Sequence, residues 1–167
     1  MPIEEIKRPE KIDSVMLAEY ILFKYGKMSH LKLQKLLYYV QAFHLAYFDS
    51  PLVDDEFEAW LHGPVSRKIY NTVKDFSVLY NDVEYKKDGE TPDAFLKFRL
   101  SPDQLTLIDD VLKEYSALSG TELENLTHSE KPWIEARKGC GFGDLCHEVI
   151  PKNVMSDYYK GQLYGQD

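Results

Sequence analysis

His128, Cys140, Cys146 and His147 carry the donor types of a two-thiolate, two-imidazole zinc site. Structural zinc sites pair their ligands at spacings such as Cys-x2-4-Cys, and the wider gap between these cysteines, in a glycine-rich loop, does not match. Gly139, Gly141 and Gly143 invite a phosphate-loop reading. That fingerprint needs a strand before it and a helix opening directly after it, inside a parallel βαβ unit, so a surface turn is expected instead. Asp54, Asp55, Glu56 and Glu58 could be taken for acid–base or metal chemistry. Their place on a loop and the outer edge of a strand predicts a solvated rim, whose natural use in binding is a cationic surface. No His-Glu-x-x-His, Gly-x-Ser-x-Gly or Cys–His nucleophile signature is present, so no catalytic set, no metal and no cofactor is assigned. A hydrolase or nuclease, the rival reading, would have to use His128 and Glu130.

Two segments are harder to treat as packing alone. Glu58 to Val65 joins Trp60 and His62 to the rigid turn Gly63-Pro64, and Leu126 to Trp133 puts Thr127, His128, Glu130 and Trp133 into one Pro-stopped bend. Thr and Ser side chains hold such corners by bonding to nearby backbone groups. The corners themselves then become candidate contact surfaces.

The elements that position them are organised around Lys32 to Phe48. At about 100° per residue Leu33, Leu36, Leu37, Val40, His44 and Tyr47 share one broad face, while Gln34, Tyr38, Gln41 and Leu45 line a second stripe. Lys32, Lys35 and Tyr39 mark a wetter edge, which predicts that Lys35→Ala is nearly neutral for stability. A helix apolar nearly all round is packed on several sides, and Gln34 and Gln41 then need partners from neighbouring elements.

Around this helix the spacing predicts a helix from Ser14 to Tyr25 and a strand within Val53 to Leu61, broken by Gly63-Pro64. A helix over Val65 to Phe76 follows, with Pro64 in its first turn. Strands at Val83 to Tyr85 and Leu96 to Leu100, with Asp88-Gly89 between them, complete a small antiparallel sheet. Ser101-Pro102-Asp103-Gln104 and Ser119-Gly120-Thr121-Glu122 read as capping boxes opening helices, Pro132 opens a short one, and Pro151 to Tyr159 reads as the last. The expected fold is mostly α with a small antiparallel β-sheet (α+β), a compact single domain around a central buried helix. Residues 1–11 are read as an N-terminal arm and 12–167 as the domain.

Composition fits this reading, with 44% hydrophobic and 29% charged residues in 167. Met1 to Glu10 lacks the apolar centre of a signal peptide and no run is long enough for a membrane span, so a cytoplasmic protein with no membrane partner is expected. Two cysteines in that compartment are expected as reduced thiols. A net charge of −8 argues against direct nucleic-acid binding and suits a basic partner.

Lys32 to Tyr39 (Lys-Leu-Gln-Lys-Leu-Leu-Tyr-Tyr), then Ala59-Trp60 with Gly63-Pro64-Val65, then Leu126 to Glu130 with Pro132-Trp133 and Ala136-Arg137, resemble the Panacea antitoxin domain, the family of SocA-like and phage-associated antitoxins. Tyr158-Tyr159 resembles its close, so the likeness runs from about Ile12 to Tyr159. Phe43 departs from it, standing where a glycine is common, and the Cys140 to Cys146 loop has no counterpart. The resemblance implies a protein that neutralises a cognate toxin by direct binding, through a surface to which Trp60, His62, Gly63, Pro64, Thr127, His128, Glu130, Trp133 and Arg137 are assigned. For the SocA-like branch it also implies an adaptor that delivers its toxin to a bacterial protease.

Overall fold

Ser29 opens the central helix, α2 (His30–Phe48), by accepting a hydrogen bond from the Lys32 amide at 3.1 Å, and Asp49, left-handed at φ 54°, closes it. Within α2 every residue except Lys32, Tyr47 and Phe48 is buried. In this computed structural model, which describes residues 9–73, 79, 81–85 and 89–163, the remaining elements are laid around that helix. They are α1 (Ser14–Tyr25), β1 (Met28–Ser29), β2 (Phe57–Trp60), β3 (Gly63–Ser66), α3 (Arg67–Val73), β4 (Asp82–Val83), α4 (Pro92–Arg99), α5 (Pro102–Tyr115), α6 (Gly120–His128), α7 (Lys131–Ala136) and α8 (Lys152–Leu163). The fold is mostly helical, with two small antiparallel two-stranded sheets among the described residues, as expected.

The core is one continuous cluster centred on Leu33, Leu36, Leu37, Val40 and Ala42 of α2, with α1, α5, α6 and α8 packed against it. Polar side chains of α2 tie the irregular segments down. Gln41 accepts from the Leu52 and Val53 amides at 2.9 and 3.1 Å and donates to Val53 O at 2.9 Å. His44 Nδ1 lies 2.6 Å from Ser50 O, and its Nε2 meets Gln104 Nε2 at 3.1 Å. The expected role of the glutamines as anchored core groups is thus observed. Both capping boxes form in full, at Ser101–Gln104 and Ser119–Glu122.

Several expectations are corrected. Lys35 and Tyr39 are fully buried, because α6, α8 and β3 close over the edge that looked wet, while Tyr47 is 53% exposed. Gly63-Pro64 does not end the β structure; it begins β3, which pairs with β2 in a hairpin, so the next helix opens at Arg67. Phe76, the expected end of that helix, lies outside the described residues, as does Asp88 of the expected turn. Leu96 to Leu100 is not a strand. Pro92 and Asp93 start α4, and Lys97 and Arg99 sit in its last turn where they complement the helix dipole. Leu96 and Leu100, one turn apart, are buried while Phe98 between them is 86% exposed. The partner of β4 is β1, with Met28 opposite Val83. Cys140 and Cys146 are joined in a disulfide, contrary to the expected free thiols, since the intervening glycine-rich turn brings their Cα atoms to 6.1 Å.

Candidate functional site

The β2–β3 hairpin turns through Leu61 and His62, placing Trp60 opposite Gly63. Gly63 has φ 105°, and a Cβ there would collide with Lys35 Cε and stand 2.9 Å from Thr127 Oγ1. Lys35 therefore runs beneath the hairpin, where its Nζ donates to Pro64 O at 3.1 Å. Complete burial pulls its ammonium down to about 7, with the Glu124 carboxylate offsetting part of the effect. Gln34 holds the far end of β3: its Oε1 accepts from the Ser66 amide at 2.9 Å and its Nε2 donates to Ser66 O at 3.2 Å. Two adjacent polar residues of one helix thereby fix both ends of a four-residue strand.

The α6–α7 corner docks on the same hairpin. Thr127 Oγ1 donates to Glu124 O at 2.8 Å, and the Glu124 carboxylate reaches His62 Nδ1 at 2.6 Å. The His128 ring stacks on Trp133 with centroids 4.1 Å apart. Trp133 Nε1 donates to Trp60 O at 2.8 Å, and Arg137 Nη1 donates to Ala59 O at 2.9 Å while Nη2 reaches Asp144 O. The Arg137 guanidinium also lies 5.1 Å from the Trp133 ring.

Glu130 faces inward. Its Oε1 accepts from Tyr39 at 2.6 Å and from Tyr159 at 2.9 Å, and the Tyr38 and Tyr159 hydroxyls lie 3.1 Å apart. Burial raises the Glu130 carboxyl above the usual range, and the two phenol donors hold it back in part. Desolvation and the neighbouring carboxylate push all three phenols up, so they remain protonated donors at neutral pH.

The nine residues expected at the surface are thus brought into one place, at two depths. Trp60, His62, His128 and Trp133 are half-buried and reach the surface; Gly63, Pro64, Thr127, Glu130 and Arg137 are buried beneath it. Lys35, Tyr39, Glu124 and Tyr159 belong to the same construction but were not among the residues assigned to the surface, Lys35 and Tyr39 having been placed on a wet edge instead. A cation between Leu33 and Leu37 on a helix apolar all round was the available signal for Lys35.

Other chemistry finds little support here. Cys140 and Cys146 bond to each other, and among the described residues no three His, Cys, Asp or Glu side chains gather as a metal-binding group. Gly139, Gly141 and Gly143 lie exposed in a turn. Within the acidic segment, Asp55 accepts from Ser66 Oγ at 2.6 Å and Glu58 pairs with Arg67 at 2.8 Å and with Trp60 Nε1 at 3.0 Å, so these two are part of the scaffold while Asp54 and Glu56 form the solvated rim.

No helix among the described residues is long and apolar enough to cross a membrane. No curated protein and no solved structure gives a significant match. The family model described as antitoxin SocA-like, Panacea domain, matches residues 33–134, which include the central helix from Leu33, the hairpin and the α6–α7 corner but not Arg137 or Tyr159. That span exceeds half of the chain, and the chain belongs to the SocA-like Panacea antitoxin domain family.

Proposed function

We propose that this chain is an antitoxin that neutralises a cognate toxin by direct protein–protein binding, at the face formed by the β2–β3 turn and the α6–α7 corner. Family membership supports a toxin–antitoxin role in general. The observation that carries the finer reading is convergence: segments far apart in sequence, around Lys35, Gly63 and Thr127, meet within contact distance and present Trp60, His62, His128 and Trp133 together. Half-buried aromatic side chains on a rigid base are the residue types that dominate binding energy at protein interfaces. Arg137, Glu130 and Gly63 act from beneath by fixing that base. The excess of acid, −8 overall, suits a basic toxin by electrostatic steering.

A hydrolase built on His128 and Glu130 finds less in the geometry. The Glu130 Oε1 atom is committed to two tyrosines, and His128 Nε2 is buried with no hydrogen-bond partner among the described residues. A base needs reach to the proton it takes.

The test is co-expression with the product of the adjacent reading frame. Rescue of growth together with stoichiometric co-purification is expected, and both should be lost in Trp133→Ala if the purified variant remains folded. Failure to rescue while both proteins are visibly expressed rejects neutralisation. Turnover of a nucleic acid or ester substrate that His128→Ala abolishes would favour the enzyme.

A further inference from the structure

On another side of the molecule a groove of about 270 Å³ runs between α2, α5 and the end of α8. Its floor is apolar, made by Phe43 and Tyr47 of α2, Leu107, Val111 and Tyr115 of α5, and Leu163 of α8, and its rim carries Asp103, Asp110 and Glu114. The α5 residues recur at positions 103, 106, 107, 110, 111 and 114, one continuous helical face about three turns or ~16 Å long. Tyr47 is 53% and Leu163 37% exposed, so this apolar strip meets water.

We infer that this groove docks a cationic amphipathic helix of a partner protein, with apolar side chains on the floor between Tyr47 and Leu107 and Lys or Arg along the Asp103, Asp110 and Glu114 rim. Helix-in-groove recognition uses anchors at i, i+3, i+4 and i+7, the spacing α5 itself presents. Charge selects this occupant over the others. A second copy of a chain at −8 would bring acid against acid, and residues 164–167, Tyr-Gly-Gln-Asp, contain no cation. A nucleic-acid backbone would be repelled by the same carboxylates. The groove is also smaller than the roughly 300–1,000 Å³ of drug-sized ligand sites, and open along its length. The inference rests on the interaction-protein reading only in requiring a protein partner; it uses none of the residues of the α6–α7 corner.

The test measures fluorescence anisotropy of a labelled Leu/Lys amphipathic peptide of about twelve residues, long enough for three turns, against the full chain. Variants are Asp110→Lys/Glu114→Lys and, as a control outside the groove, Glu90→Lys. Lys at position 114 lies in the last turn of α5, where it complements the helix dipole, so the double variant should fold, which circular dichroism checks. Binding weakened by about tenfold or more in the double variant and unchanged in the control is the expected result. Equal binding by both variants, or no binding by the parent, overturns it. A parent dimer that the double variant dissolves would assign the groove to a second copy, and much tighter peptide binding after removal of residues 164–167 would assign it to the chain's own terminus; either overturns the inference. The rescue assay is run in parallel on the same variants. Rescue by the parent and equally by the double variant removes the groove from toxin binding while leaving the antitoxin reading intact, and failure of the parent to rescue removes the antitoxin reading while the peptide titration still decides the groove.

Discussion

At position 63 neither the backbone nor the surroundings accept a side chain. The φ of 105° disfavours any L residue, and the space a Cβ would enter is held by Lys35 and Thr127. Gly63→Ala should therefore cost about 2–3 kcal/mol in urea unfolding, and a variant that melts like the parent would show that the hairpin does not sit on Lys35. The same lysine carries a second expectation, opposite to the near-neutral Lys35→Ala that the residue pattern suggested. Its folded pKa, about 7, lies below the ordinary lysine value, so the unfolded chain binds more protons between these limits. Stability linked to Lys35 is present above the unfolded value and is lost as pH falls towards and through about 7. Relative to Lys35→Met, the parent should gain stability steadily as pH rises from about 7 to 10, and parallel slopes for the two proteins would reject a buried ammonium. A lone cation on a helix reads as a marker of solvent because burying a charge is costly. Here the bond to Pro64 O and the nearby Glu124 carboxylate offset that cost, and both come from segments far away in sequence.

Helix starts written as complete capping boxes were legible, whereas the strand β3 that opens at Gly63-Pro64 and the short helix α4 were not. The capping boxes at Ser101 and Ser119 contain in four residues all the atoms they need, and both form as expected. Replacing Ser101 with Ala should cost about 1 kcal/mol. By contrast, Leu96 to Leu100 alternates like a strand over five residues, and only the flanking Pro92, Asp93, Lys97 and Arg99 reveal a helix. Gly63-Pro64 looks like a stop because Pro has no N–H for a ladder, yet β3 lies where its donors are taken by neighbours such as Gln34. At this scale α2 is a row of clamps, and the strongest is Gln41. Gln41→Leu keeps the volume but leaves the Leu52 and Val53 amides and Val53 O without their partner, all in a buried setting. The cost should reach about 3 kcal/mol or more, several times that of Ser101→Ala. Equal midpoint shifts for the two variants would mean that the 50–55 segment is held by something other than Gln41, such as the His44 bond to Ser50 O.

Across the whole molecule the buried titrating groups set a direction for stability against pH. His30 is pulled down to about 4 by burial with Lys35 nearby, and burial also lowers His44 and His128. Each is neutral in the fold and must take a proton below its ordinary range, so the stability it contributes is present above about 6.5 and is lost as pH falls through its depressed folded value. The lowered carboxyls of Asp13 and Glu58, held by the Val15 amide and by Arg67, act in the same sense at lower pH. Among the shifted carboxyls of the described residues Glu130 alone opposes them: its raised pKa favours the fold in acid and withdraws that contribution as pH rises through its folded value. The two core histidines, with the half-buried His128, outweigh one carboxyl whose charged form is already met by two phenols. The urea midpoint should therefore fall continuously from pH 8 to pH 4, with the steepest loss below about 6.5. In Glu130→Gln the fall should be steeper still, because the opposing group is gone while an acceptor for Tyr39 and Tyr159 remains. A midpoint that is flat across this range, or higher at pH 5 than at pH 8, would mean that the histidines reach water and that the helix around which the fold is laid is less enclosed than its burial implies.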